Sequence, residues 1–107
     1  MVSMESQLKK LIDDCKRLLK DMDYYHEVPS STYFQNYIHR KIQQLQWLLI
    51  MVTDGVDGNN IATTEEVYRS IKAEVYVIAK KWKLAVESRY RHQKSRMGKL
   101  YYISSLG

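Results

Sequence analysis

From Met4 onward the apolar positions fall at Met4, Leu8, Leu11, Cys15, Leu18, Met22 and Tyr25, in alternating steps of four and three. That spacing predicts an amphipathic helix over about residues 4–25, with Ile12 and Leu19 widening its seam. The opposite face offers Lys9–Asp13, Lys10–Asp14 and Arg17–Asp21 at i,i+4 spacing, a solvated surface of mixed sign that reads as scaffold. The same three heptads are enough to zip a homodimer, at the lower limit for a coiled coil.

His26-Glu27-Val28-Pro29-Ser30-Ser31 closes this helix. Pro29 lacks a backbone donor and pushes Val28 out of helical geometry, and Ser30 or Ser31 is then placed to cap the next helix. A second helix is expected over about 32–52. Phe34, Ile38, Ile42, Leu45, Leu49 and Val52 form one narrow stripe along it, while Tyr33, Tyr37, Arg40, Gln44, Trp47 and Met51 form another on roughly the opposite side. A helix with two such faces either lies between two neighbours or exposes a Tyr/Arg/Trp patch of the kind enriched at binding hot spots.

Thr53 to Ala62 is turn chemistry, with two Asp-Gly pairs and Asn59-Asn60. Thr63 and Glu66 have capping-box spacing and predict a third helix over about 64–97. Its core positions are Val67, Ile71, Val75, Ile78, Trp82, Ala85 and Val86. The next seam position is Arg89, where the apolar pattern stops, whereas the first C-terminal stop is Gly98. A continuous third helix would be about 50 Å long against roughly 30 Å for the other two, so it must project from the bundle or break near Ser88. The chain is therefore expected to be a single all-α domain over 1–107, a helical hairpin plus a long third helix forming a three-helix bundle.

Charge adds what periodicity does not. Residues 1–79 hold nine Lys/Arg against eleven Asp/Glu, but 80–99 hold eight Lys/Arg against Glu87 alone. Tyr76, Lys80, Lys83, Tyr90, Arg91 and Lys94 share one stripe about 27 Å long on a helical wheel. Beyond Ser88, Arg89 and Arg96 take over the former apolar seam, and Lys99 follows. A basic stripe of this length spans several phosphates of a strand, and Tyr90 and His92 have rings able to stack on unpaired bases. The first functional expectation is a nucleic-acid-binding protein, for DNA or RNA, that grips phosphate through Lys80, Lys83, Arg89, Tyr90, Arg91, Lys94, Arg96 and Lys99 with little sequence specificity. An acidic protein surface is the other partner that this charge attracts.

The second expectation belongs to a different class: a small intracellular regulator, inhibitor or immunity-type protein that docks on another protein. Its surface would comprise Tyr33, Tyr37, Arg40 and Trp47 together with Tyr101 and Tyr102 of the apolar tail 100–107.

Chemical signatures are few. The loop from Asp54 to Glu65 has the length of a calcium-binding loop, with Asp first and Glu last, but Val56 and Gly58 stand where oxygen ligands belong. His26, His39 and His92 are scattered, Ser30 and Ser31 lack an assignable His–Asp arrangement, and no Gly-rich phosphate loop is present. Neither an enzyme nor a metal or cofactor is expected. Cys15 is the single cysteine, which leaves an internal disulfide without a partner and points to a small core residue. The start of the chain lacks the basic-then-apolar order of a signal peptide, and the longest apolar run, Leu48 to Val52, is far too short to span a bilayer. The expected location is cytoplasmic, with no membrane insertion.

Overall fold

The computed structural model of the chain describes residues 3–54 and 61–90. These residues form three helices, α1 (Met4–Tyr24), α2 (Ser31–Thr53) and α3 (Ile61–Arg89), which pack pairwise into an all-α bundle. None of the described helices is long and apolar enough to cross a membrane. The turn loop 55–60 and the chain beyond Tyr90 lie outside the described residues, and with them the extension of the third helix to 97 and the tail 100–107.

Ser3 starts α1: its side-chain oxygen accepts from the Ser6 amide at 3.1 Å, satisfying one of the donors that a helix start leaves open. The predicted seam is the buried one, with Leu8, Leu11, Ile12, Cys15, Leu18 and Met22 in the core and Tyr25 just beyond the helix end. Burial pushes the Cys15 thiol up to about 12, so it behaves as a small apolar side chain at neutral pH. On the outer face Lys10 pairs with Asp14 at 3.6 Å as expected. Lys9 pairs instead with Glu5 at 3.0 Å, and Arg17 with Asp14. Asp21 was expected to face Arg17, but its carboxylate turns toward α3 (below).

The α1–α2 connection is built around buried residues. Tyr25 and Val28 are both in the core, and the Val28 amide donates to the Tyr25 carbonyl at 3.0 Å. Ser30 occupies the N-cap position of α2 without a side-chain hydrogen bond. Ser31, buried at the start of α2, donates from Oγ to the Met22 carbonyl at 2.7 Å. The expected capping serine thus acts backwards, closing the C-terminal end of α1 and tying the hairpin together. Gln35 reinforces it by donating to Ser31 Oγ at 3.0 Å.

Along α2 the buried positions are Ser31, Phe34, Ile38, Ile42, Leu45 and Leu48, so Leu48 takes the place expected for Leu49, which is only partly buried, as is Val52. α3 begins at Ile61, which places Thr63 inside the helix and not at its cap. Its buried seam is Thr64, Tyr68, Ile71, Val75, Ile78, Trp82, Val86 and Tyr90. Two expectations are corrected here. Val67 is 39% exposed, and its neighbour Tyr68 is in the core. The seam also continues past Val86 to Tyr90, where steps of four rotate it away from Arg89.

The three helices converge on an aromatic cluster at the hairpin end. Trp82 is fully buried, edge-on to Phe34 at 5.6 Å, and its indole N–H donates to Asp21 Oδ2 at 2.8 Å. Tyr90 meets Tyr25 edge-on at 5.7 Å, and its hydroxyl donates to Glu27. These two polar contacts give buried aromatic tips the partners they require.

Candidate functional site

The basic residues come first. Lys80 and Arg89 are exposed on α3, and Lys83 is half-buried. Lys80 and Lys83 line a shallow groove of about 240 Å³ between α1 and α3, beside Tyr76 and Asp14 and over Leu11, Val75 and Ala79. Tyr90 is a correction. Expected on the solvent-facing stripe as a stacking ring, it is 6% exposed and locked between Tyr25 and Glu27, so its face is not open to a base. The Arg89 guanidinium lies 5.9 Å from its ring centroid. Arg91, Lys94, Arg96 and Lys99 lie outside the described residues, as do Tyr101 and Tyr102. Of the basic set, the structure therefore places Lys80, Lys83 and Arg89.

The second stripe of α2 lies wholly within the described residues. Tyr33 is 58% exposed and Trp47 65% exposed, whereas Tyr37 is half-buried. Of the two arrangements open to this helix, the stripe takes parts of both. Tyr37 is held against α3: its hydroxyl donates to Glu74 Oε2 at 3.0 Å. Lys41, with only 12% of its side chain exposed, reaches the same carboxylate at 2.5 Å and sits 5.0 Å from the Tyr37 ring centroid. The Arg40 guanidinium covers the same ring at 5.9 Å. The Lys41 ammonium beside it and the Tyr37 hydroxyl hold the Glu74 carboxyl below its ordinary value against the opposing effect of burial. Burial and the Glu74 carboxylate raise the Tyr37 phenol.

This bridge divides the groove between α2 and α3 into two hollows. One, of about 340 Å³, has Trp47, Leu48 and Gln44 on the α2 side and Val67, Ser70 and Ile71 on the α3 side. The other, of about 310 Å³, is lined by Tyr33 and Tyr37 and by Ala73, Val77, Ile78 and Lys81. Tyr33 and Tyr37 stand 6.4 Å apart, centroid to centroid. The pairing of Trp47 with Val67, and of Tyr33 with Lys81, fixes α2 and α3 as antiparallel neighbours. Val67 and Val77 are the wall residues that periodicity alone missed. Val77 is 49% exposed, and its distance from the Val/Ile seam was the available signal for an apolar residue outside the core.

Chemically, the groove is an apolar, open-ended channel with one neutralised ion pair across its middle. Ser70, on its α3 wall, donates from Oγ to Glu74 Oε1 at 3.5 Å, a long contact to a carboxylate already engaged by Lys41 and Tyr37. No group of three or more His, Cys, Asp or Glu able to hold a metal occurs among the described residues. Comparison of the chain with protein-family models, with curated proteins and with solved structures returned no match.

Proposed function

We propose that this protein is a non-catalytic helical docking module that binds a partner protein through the groove between α2 and α3. The observation carrying this reading is Trp47, held 65% exposed at the rim of a hollow whose floor is Leu48 and Ile71. Trp and Tyr are the residues that contribute most at protein interfaces, and they do so at the edges of such hollows. Val67 is exposed in the same hollow as Trp47, and Tyr33 and Val77 are exposed in the second hollow across the bridge, so Trp47 is one of several exposed apolar groups along the groove.

The test is site-specific photo-crosslinking in the cell of origin. A photoreactive residue at Gln44, which lines the Trp47 hollow, is expected to give a discrete protein adduct that Trp47→Ala removes. The same residue at Asp13, on the outer face of α1, is expected to give none. Identical labelling from both positions, or an adduct indifferent to Trp47→Ala, overturns the reading.

One observation favours a second reading, binding of DNA or RNA: the confinement of eight Lys/Arg against one acid to residues 80–99. Lys80, Lys83 and Arg89 would contribute from α3, with Tyr90 supporting the helix end and not stacking. A titration of the full chain against short single-stranded and duplex probes over a salt series is expected to show steeply salt-dependent binding. A flat salt dependence removes this reading without touching the first.

A further inference from the structure

We infer that the occupant of the α2–α3 groove is an amphipathic helix with apolar anchors one heptad apart and an acidic side chain beside the anchor at the Tyr33 end. This deepens the docking reading and rests on it. The groove is a trough between two antiparallel helices, the shape that a third helix fills by laying its apolar face along it. The hollows sit on either side of the Tyr37–Lys41–Glu74 bridge. The hollow linings are displaced by about six residues along α3 and about ten along α2, roughly 9 and 15 Å, which brackets the two-turn spacing of i and i+7 on a helix. An extended peptide would turn only every second side chain into the trough, whereas an amphipathic helix lays a continuous apolar stripe along it.

The charge around the groove selects among amphipathic helices. Glu74 is already paired with Lys41, so the central bridge presents little net charge. Arg40 covers the outer edge of the Tyr37 ring and Lys81 lines the same hollow as Tyr33, which leaves that end basic. By helical register Glu66 stands one turn before Ser70, which lines the Trp47 hollow, so an acid flanks that end while Lys81 lines the other. A partner helix with an acid near the Tyr33-end anchor is favoured in one orientation, because the reverse would place that acid beside Glu66.

The test uses two stapled helical peptides of about fourteen residues, identical in their leucine anchors at i, i+4 and i+7. One carries aspartates beside its terminal anchor and the other carries lysines there. Fluorescence anisotropy of the labelled peptides against the full chain is expected to show saturable binding of the acidic peptide, about tenfold tighter than the basic one. Trp47→Ala is expected to weaken it by about tenfold or more. Arg40→Glu with Lys81→Glu is expected to reverse the preference, a readout independent of any loss of the anchor. Equal binding of the two peptides, no binding of either, or an unchanged preference in the charge-reversed variant overturns the inference. So does sedimentation showing a dimer that Trp47→Ala dissociates, since a second copy would then fill the groove. If the peptides fail while the Gln44 adduct persists, docking stands and the helical occupant is wrong; if both fail, the docking reading falls too.

Discussion

The molecule places its two tryptophans in opposite circumstances. Trp82 is fully buried, set edge-on to Phe34, with its indole N–H bound to Asp21. Trp47 stands 65% exposed beside a hollow. Both lie mid-helix, so local conformation does not separate them. The difference is register: Trp82 continues the seam of Val75 and Ile78, whereas Trp47 lies off the seam of Ile42, Leu45 and Leu48. A buried indole must also find an acceptor, since an unsatisfied N–H in the core costs about 1–3 kcal/mol, and Asp21 is recruited from a surface carboxylate to supply it. An exposed indole leaves its donor to water and its faces to a partner. One ring holds the three helices together, while the other is available for binding.

The largest effect that would sharpen this contrast is Trp82→Ala. Removing a fully buried indole beside Phe34 creates a cavity and strands Asp21, and a loss of about 3–5 kcal/mol is expected. Against a typical domain stability of about 5–15 kcal/mol, this brings the variant close to unfolding. Chemical denaturation followed by circular dichroism measures it. A loss below about 1 kcal/mol would mean that Trp82 is no more structural than Trp47, and the comparison would collapse.

Next in size is Glu74→Ala, which probes the boundary between core and groove. It leaves the mostly buried Lys41 ammonium without its carboxylate and the Tyr37 hydroxyl without its acceptor. A loss of about 1–2 kcal/mol at pH 7 is expected, discounted because the Glu74 side chain is partly in water. The pH dependence gives the sign. The Glu74 carboxyl is lowered from its ordinary 4.5, so the unfolded chain binds the proton more tightly. Its contribution is present above that value and is lost as pH falls through the lower, folded one. Wild type and Glu74→Ala should therefore converge in stability on acidification. A gap that stays constant down to the lowest pH would show that the bridge stabilises by packing and not by charge.

Asp21 should behave in the opposite way. Burial raises its carboxyl from 3.8, opposed by the Trp82 hydrogen bond, so the folded protein holds this proton more tightly than the unfolded chain. The stability linked to it falls as pH rises from 3.8 through the folded value. Asp21→Asn keeps a carbonyl for the Trp82 N–H and removes the charge. It is expected to match the wild type at pH 7, or to exceed it by up to about 1 kcal/mol, and to lose that part of the pH slope. Paired melts at pH 3.5 and 7 would show it, and a destabilised Asp21→Asn would mean that the indole needs the carboxylate's charge and not merely its oxygen.

The bundle itself was legible in the chain, because a core seam must repeat wherever a helix has something to cover. The α1 seam from Leu8 to Met22 is buried as its spacing predicts. Errors arose where a side chain has two characters. Spacing leaves Tyr68 out of the seam and puts Tyr90 on the solvent-facing stripe as a stacking ring, yet both are core rings, and it turns Val67 inward although that side chain lines the groove. Steps of four at Trp82, Val86 and Tyr90 turn the seam as α3 passes the hairpin, and only the position of Tyr25 across the bundle makes that turn profitable. Pairings such as Tyr90 with Glu27 or Trp82 with Asp21 are long-range, and no local spacing encodes them. The groove was half legible: the aromatic stripe of α2 is a matter of spacing, but its opposite wall depends on how α3 is rotated.

The smallest expected effect is the one on which the comparison depends. Trp47→Ala should alter stability by no more than about 0.5 kcal/mol, because most of the ring already lies in water and the substitution leaves no buried donor behind. Alanine's higher helix propensity offsets part of the apolar area that the indole covers at the rim of the hollow. The same change should remove the Gln44 cross-link and the binding of the acidic peptide. A residue whose loss leaves folding intact and abolishes binding belongs to a recognition surface, whereas a core residue loses both together. If Trp47→Ala instead melts well below the wild type, the ring is the outer layer of the bundle. The exposed tryptophan would then differ from the buried one in degree and not in kind.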